Sequence, residues 1–128
     1  MKYRLLDLLA CPHCRNFPLE LLVLEERRLG EAVRVERKPL CELWCSYLRR
    51  GVSEVPETPC ETCMSLEVEV AVLNCSRCRR WYPVVDGIPR LLPDIYRSES
   101  EDKGFLEKYR DRIPREILVE GKPFNLSS

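Results

Sequence analysis

Eight cysteines in four close pairs have the most specific chemistry in this sequence. Three pairs have the spacing C-x2-C and one has C-x3-C; the pairs are Cys11/Cys14, Cys60/Cys63, Cys75/Cys78 and Cys41/Cys45. Two such turns supply the four thiolates that a tetrahedral zinc ion requires. A high cysteine count in a reducing compartment favours metal binding over disulfides. The pairs therefore fit two tetrathiolate zinc sites, or one zinc site together with disulfides.

The tetrapeptide CPHC at residues 11–14 is also compatible with redox catalysis, because Pro-His lies between the cysteines of strongly oxidising thioredoxin-like sites. That chemistry needs a strand before the motif and a helix after it, so that the first thiolate lies at a helix N-terminus. Here apolar spacing predicts a short helix over residues 3–10 and a strand after the motif. The reversed order favours a structural metal site.

Spacing alone allows two ways of pairing the cysteines. Cys60/Cys63 and Cys75/Cys78 are separated by eleven residues, which would leave Cys11/Cys14 to pair with Cys41/Cys45. Alternatively the first and last pairs share a metal ion and the middle of the chain is an insertion. Both arrangements satisfy the ligand requirement of zinc.

The pattern of the first 63 residues predicts mixed short elements. The segment FPLELLVLEE reads as a strand, and RRLGEAVRVER predicts a turn around Gly30 and a second strand, so the two form a hairpin. The segment PLCELWCSYLRRG predicts a short helix that ends at Gly51. Residues 52–63 contain two prolines and polar residues, which indicates a loop.

The second half begins with the clearest strand signal. Leu66, Val68, Val70 and Val72 alternate with other residues and predict a strand with one apolar face. Asp86-Gly87 predicts a turn between two apolar segments. A helix is expected to start between Ser98 and Asp102 and to end before Pro114. Residues 115–128 are expected to form a strand or a tail.

Composition limits the classes of protein that fit this chain of 128 residues. It has 21 basic and 21 acidic residues, and this balance argues against a dedicated nucleic-acid-binding protein. No run of 18 apolar residues predicts a membrane span, and the N-terminal segment lacks the features of a secretory signal. These features predict a cytoplasmic protein. Glutamine is absent and 33% of residues are charged, which suggests a thermophile.

Three segments resemble a known family, the Trm-one-twelve family of small zinc-binding activator subunits of methyltransferases. The segments are LLDLLACPHC, FPLELLVLE and SLEVEVAVLNCSRCRRWYPVVDGIPRLLP. The resemblance implies an α+β fold with a zinc-ribbon-like β domain and short helices. It also implies a long form, in which residues 1–37 and 64–96 form the zinc-binding domain around an inserted, partly helical segment at 38–63. Residues 97–128 would be a C-terminal helical extension or tail.

The resemblance also implies which cysteines bind the structural zinc ion: Cys11, Cys14, Cys75 and Cys78. His13 is then expected to face solvent, because four thiolates saturate zinc. The cysteines of the insert are not a feature of the family. We therefore expect a second metal site or disulfides formed by Cys41, Cys45, Cys60 and Cys63.

The expected function follows from the resemblance and from the lack of catalytic groups. His13 is the single histidine, and no nucleophile has a neighbouring base, so no enzymatic activity is predicted. The resemblance implies a heterodimer with class I, S-adenosylmethionine-dependent methyltransferases that act on tRNA, rRNA or a translation release factor. Nucleic acid would be contacted only through the partner, and no membrane is involved. The expected contact surface is Ile88, Pro89, Leu91, Leu92 and Pro93. The alternative is that this apolar segment packs as a strand inside the zinc domain.

An alternative function comes from basic and aromatic residues near the last cysteine pair. Arginines alternate with aromatic residues there, as single-stranded nucleic acid requires; the residues are Arg77, Arg79, Arg80, Arg90, Trp81 and Tyr82. This pattern is compatible with a zinc ribbon that binds nucleic acid directly.

Overall fold

The computed structural model describes residues 1–30 and 33–127. In these residues the strands β1–β6 span Glu20–Arg28, Trp44–Cys45, Arg50–Gly51, Leu66–Asn74, Trp81–Val85 and Ile88–Pro89. The helices α1–α3 span Cys60–Met64, Glu99–Lys108 and Arg115–Glu120. Three 3₁₀ helices span Tyr3–Leu8, Val52–Glu54 and Asp94–Tyr96. The fold class is α+β, with a small zinc-ribbon-like sheet and short helices, as the family resemblance implies.

The main sheet is antiparallel and has the strand order β1-β4-β5-β6. The strand predicted after CPHC is confirmed as β1, but the hairpin predicted for it is wrong in the residues described. Residues 33–37 contain no strand, and residues 31 and 32 lie outside the described part of the chain. β1 instead pairs with β4, from Glu20 opposite Asn74 to Arg28 opposite Leu66. β4 is buried along both faces and offers a longer apolar partner than residues 33–37 could.

The strand predicted from alternation is confirmed as β4, but its apolar residues do not all lie on one face. Two register shifts interrupt the pairing of β1 with β4, at Leu24 in β1 and at Glu69 in β4. An extra residue in a strand reverses the direction of the side chains beyond it. Accordingly Val68 packs in one apolar cluster and Val70 in another.

These two clusters form the core. The first cluster joins the N-terminal residues to the sheet and includes Leu6, Val68, Leu73, Val84, Cys11 and Cys75. The second cluster joins the sheet to the C-terminal helices and consists of Leu24, Val70, Val72, Trp81, Leu106, Ile113 and Ile117. Residues beyond 97 therefore cover sheet surface that would otherwise be exposed and apolar.

The helix predicted for PLCELWCSYLRRG is wrong, because this segment forms the β2–β3 hairpin. A distant carboxylate holds the chain extended at its start. Asp7 accepts hydrogen bonds from the backbone N–H groups of Glu42, Leu43 and Trp44, at 2.8, 2.8 and 2.7 Å. These donors would otherwise be free to join a helix. The loop predicted over 52–63 also ends earlier than expected, since α1 begins at Cys60.

The predicted turn and the first C-terminal helix are confirmed. Asp86 and Gly87 have φ values of 52° and 74° and connect β5 to β6, as a two-residue hairpin turn requires. Ser98 caps α2 by accepting a hydrogen bond from the N–H of Glu101. The following segment forms helix α3, not the strand or tail expected. In the described residues, no helix is both long and apolar enough to cross a membrane.

Candidate metal centre

The first cysteine pair lies in a tight turn that directly follows the N-terminal 3₁₀ helix. The N–H of Cys11 donates to the carbonyl of Asn16 at 3.0 Å, and the N–H of Arg15 donates to the carbonyl of Cys11 at 2.7 Å. Arg15 has a positive φ of 64°, which reverses the chain after Cys14. Both thiols therefore point to the same side of the turn.

The second pair lies between β4 and β5 and repeats this backbone pattern. The N–H of Cys75 donates to the carbonyl of Arg80 at 2.8 Å, and the N–H of Arg79 donates to the carbonyl of Cys75 at 3.0 Å. Arg79 also has a positive φ, of 68°. The N–H of Cys78 lies 3.5 Å from the Cys75 sulfur. The two turns thus have the same backbone pattern, and each one supports a pair of sulfur ligands.

The fold brings these two turns together. The sulfur atoms of Cys11, Cys14, Cys75 and Cys78 all lie within 4.8 Å of one another. The Cys11–Cys78 and Cys14–Cys75 sulfur pairs are 3.6 and 3.4 Å apart. In a tetrahedral zinc tetrathiolate the sulfurs are about 3.8 Å apart, since each Zn–S bond is about 2.3 Å. The four cysteines could therefore hold a metal ion, and the donor set suits a soft divalent ion.

The charge state of the thiols also fits cation binding. Burial opposes ionisation of Cys11, but hydrogen bonds from the Tyr82 hydroxyl, 3.3 Å away, and from the N–H groups of Cys14 and His13 lower its pKa to about 7. For Cys75, burial and the neighbouring thiol groups raise the pKa to about 12. One thiol can ionise, whereas several thiolates at this spacing repel one another. A bound cation removes that repulsion.

Two further residues support the centre, and the sequence analysis assigned neither to it. Asp94 accepts three hydrogen bonds from the Arg80 guanidinium, at 2.7, 2.9 and 3.2 Å. This carboxylate is the main cause that raises the pKa of Arg80, and the Cys78 side chain adds to the shift. Arg80 therefore stays charged beside the sulfurs. His13 is exposed, as expected, and lies outside the ligand set.

The cysteines of the insert form a second group. Cys41, Cys45, Cys60 and Cys63 are free thiols that line one small cavity. Cys41 precedes β2 and Cys45 lies in it, so the two are not on one face of a helix. Burial, followed by the Asp7 charge and then the neighbouring thiols, raises the pKa of Cys41 to about 11, and burial raises that of Cys63 to about 12. Among the described residues, the group of close metal ligands is the one formed by the first and last pairs, and these four cysteines are not part of it.

The segment expected to contact a partner is partly exposed. Ile88, Leu92 and Pro93 are exposed, whereas Pro89 is half-buried and Leu91 packs against the first apolar cluster. The sequence analysis did not predict two further exposed apolar residues. Ile95 is 83% exposed and Tyr96 is 70% exposed. In the sequence, apolar residues resume after Pro93 and Asp94. This continuation could have identified Ile95 and Tyr96 as part of the segment.

A groove adjoins these residues. Its apolar lining comprises Leu92, Tyr96, Val85, Pro83 and Phe105, and its volume, including its open mouth, is about 790 Å³. Arg90, Ser98 and Glu101 supply polar groups around it. An apolar groove with a polar border is typical of a binding surface.

The aromatic residues near the second cysteine pair are not a stacking surface, and that interpretation is wrong. Trp81 and Tyr82 are 0% and 1% exposed, because both point into the core. The neighbouring arginines are partly engaged: Arg80 binds Asp94 at 2.7 Å, and Arg79 lies 3.8 Å from Glu120. Bases cannot stack on side chains that solvent does not reach.

The fold and the site together define a small α+β protein with a zinc-ribbon-like sheet and a cluster of four thiols that could hold a metal ion. The chain belongs to the Trm112p-like protein family, whose family model matches residues 2–87. This match includes both cysteine turns of the cluster. Members of the family are activators of methyltransferases. A search of curated proteins found no match.

Proposed function

We propose that the protein is a non-catalytic subunit that binds and stabilises class I, S-adenosylmethionine-dependent methyltransferases. Its partners modify tRNA, rRNA or a translation release factor, and the complex is a heterodimer in the cytoplasm. The observation that carries this proposal is an exposed apolar strip beside the metal centre, in a chain of this family. The apolar strip is the set of exposed large apolar residues in segment 88–96, which are Ile88, Leu92, Ile95 and Tyr96.

The apolar strip is a surface that a partner would cover. Burying one large apolar side chain stabilises a complex by about 1.5–3 kcal/mol. A few such residues at the centre of an interface usually dominate the affinity. Ile95 and Tyr96 project from a 3₁₀ helix that Arg80 anchors through Asp94, so these side chains are held in place before binding. Preorganisation lowers the entropic cost of association.

Side-chain burial contributes more at this edge than strand pairing. β6 is the outer strand of the sheet, and Val85 opposite Ile88 closes the hairpin. The next residue, Pro89, therefore directs its backbone nitrogen away from β5, and proline has no N–H to donate there. A partner strand would find a carbonyl at this position but no donor. We infer that contacts to the apolar strip dominate the interface.

The metal centre has a structural role in this proposal. Zn²⁺ held by Cys11, Cys14, Cys75 and Cys78 has no open coordination position, so it supplies no catalysis. It ties the N-terminal turn to the β4–β5 turn, which makes residues 1–37 and 64–96 one unit around the insert at 38–63. The strip follows β5 directly, so the metal ion would fix the surface that the partner contacts.

Activation follows from binding without any chemistry by this chain. A subunit that binds only the folded methyltransferase shifts the folding equilibrium of that enzyme by mass action. If the enzyme's cofactor pocket orders at the same time, methyl-donor affinity rises by the same coupling free energy.

The test is an affinity purification of the tagged full-length protein from a lysate of its source organism, read by mass spectrometry. Class I methyltransferases in near-stoichiometric amounts are expected. Ile95→Asp should weaken the complex by roughly 30-fold or more, as for a central interface residue worth about 2 kcal/mol or more. Leu43→Asp is the matched control, because Leu43 is 66% exposed but lies on the β2–β3 side. It should leave partner recovery unchanged.

Two results would contradict the proposal. Equal recovery of methyltransferases with Ile95→Asp and Leu43→Asp would place the contact surface elsewhere. Recovery of RNA without any methyltransferase, together with a salt-sensitive gel shift by the isolated protein, would favour direct nucleic-acid binding. The exposed residues Arg77, Arg79 and Arg90 would then be the side chains to substitute.

A further inference from the structure

The second group of thiols comes from two elements that face each other. Cys41 precedes β2 and Cys45 ends it, while Cys60 begins α1 and Cys63 lies almost one helical turn later. Residues three apart on a helix share a face. All four side chains line the same small cavity. The spacings C-x3-C and C-x2-C each place two sulfurs on one side of a short element.

The surrounding contacts fix both elements without using the sulfurs as their main supports. Asp7 holds the start of the hairpin by accepting three backbone N–H bonds. In α1, the N–H of Cys60 donates to the backbone carbonyl of Thr58, and the N–H of Cys63 donates to that of Pro59, both at 2.9 Å. The one polar side-chain contact found for these sulfurs in the described residues is between Cys60 and the Thr58 hydroxyl, at 3.0 Å.

The segment that carries these thiols lacks an apolar core of its own. Residues 38–63 contribute one buried member, Cys63, to the two core clusters. Trp44 and Tyr47 pack against the first cluster but are only partly buried. β2 and β3 have two residues each, and α1 has five. Segments with so little apolar burial usually need a disulfide or a metal ion to hold one conformation.

Positive charge lies where a metal thiolate would need it. Arg4 lines the cavity itself. The Lys2 ammonium donates to the carbonyl of Met64 at 2.6 Å, directly after Cys63 in the chain. A divalent ion with four thiolates has a net charge of −2, and nearby cations offset the cost of burying it. A group of neutral apolar side chains would gain nothing from these cations.

We propose that Cys41, Cys45, Cys60 and Cys63 bind a second structural Zn²⁺ ion, independent of the centre formed by the first and last cysteine pairs. Among the described residues, the group that already places its ligand atoms as a metal site does is the first centre. Binding draws the hairpin and α1 together until the sulfurs are about 3.8 Å apart, as a tetrahedral site requires. Each thiol releases its proton to solvent, and no oxidation takes place.

The experiment is metal analysis of the full-length protein, purified without oxygen, in the presence of a reductant and with zinc supplied during expression. Two zinc ions per chain are expected for the wild type. The double variant Cys60→Ser/Cys63→Ser should bind one, because the first centre retains all its ligands. Replacement of zinc by Co²⁺ should give tetrathiolate absorption bands that are twice as intense in the wild type as in this variant.

Three outcomes would overturn the proposal. The first is one zinc ion per chain in both the wild type and the double variant. The second is a wild-type mass lower by two or four hydrogen atoms in a parallel sample purified without reductant and denatured in acid, which would identify disulfides. The third is loss of both zinc ions in a double variant that remains folded by circular dichroism. If that variant does not fold, the wild-type stoichiometry and mass decide alone.

Discussion

The buried ion pair that attaches the C-terminal helices gives a quantitative prediction for Arg97→Met. The Arg97 and Asp102 side chains are 2% and 7% exposed, and the guanidinium Nε lies 2.9 Å from the carboxylate. Arg97 also donates to the carbonyl of Trp81 at 2.7 Å and lies 4.8 Å from the Trp81 ring centroid. This arginine therefore connects α2 to the sheet.

Removing Arg97 leaves the Asp102 carboxylate buried without its partner, which costs about 3–5 kcal/mol. Arg97→Met also leaves the Trp81 carbonyl without its donor. This carbonyl belongs to the same network, so the two costs in stability do not simply add. Burial raises the pKa of Asp102 even though Arg97 acts in the opposite direction. A raised carboxyl pKa means that the folded state gains protons more readily than the unfolded state. The destabilisation should therefore be smaller at acidic pH than at neutral pH.

The assay is urea unfolding followed by circular dichroism, with zinc and reductant held constant. For a protein of this size the slope is about 1–3 kcal/mol per molar urea, so the midpoint should fall by about 2 M. Arg110→Ala is the matched control, because its pairing with Glu107 is exposed and 3.6 Å long; it should cost less than about 1 kcal/mol. Arg97→Met/Asp102→Leu should recover most of the lost stability. An Arg97→Met variant no less stable than Arg110→Ala would refute the reasoning.

Three further predictions concern other parts of the molecule. Cys75→Ala, or removal of metal by a chelator, should abolish the cooperative thermal transition, because a structural metal site supplies folding free energy; an unchanged melting curve would contradict the metal centre. Although burial opposes it, the three N–H donors lower the pKa of Asp7, so its stabilisation is present above its usual pKa and lost as pH falls through the lowered value. Asp7→Ala should cost about 1–3 kcal/mol at pH 7, and this cost should shrink as pH is lowered towards the carboxyl range, measured by urea unfolding at pH values where the metal stays bound. Gly87→Ala should destabilise by about 1 kcal/mol or more, since φ is +74° and a Cβ would lie 3.0 Å from the Met1 nitrogen. Gly104→Ala, at an open position in α2, should instead stabilise by up to about 1 kcal/mol; equal melting temperatures for the two variants would contradict the strain at Gly87.

Elements fixed by local chemistry were predictable from the sequence. Alternation identified β4, Asp86-Gly87 identified the turn before β6, and Ser98 identified the start of α2. In each case the residues that determine the element lie within it or directly beside it. The two cysteine turns were also recognisable, because the ligand spacing is itself local.

Elements fixed by distant contacts were not predictable in this way. The β2–β3 segment has helical spacing, but the Asp7 carboxylate, more than 30 residues earlier, binds its N–H groups. The partner of β1 was missed, because a local hairpin and a pairing across the insert leave the same pattern in β1. The left-handed conformations of Arg15 and Arg79 gave no signal, since glycine is the usual residue there.

The pairing of the first and last cysteine turns affects how the chain acquires metal during its synthesis. Cys11 and Cys14 leave the ribosome well before Cys75 and Cys78, and the four cysteines of the insert emerge between them. A metal ion captured early by the first turn would therefore meet the wrong partner thiols first. β1 pairs with β4, which is synthesised later. The four cysteines of this centre can therefore come together only after most of the chain has been made. Binding of a metal ion by these four cysteines would thus be a late step, and an excess of zinc during translation would favour mispaired chains over native ones.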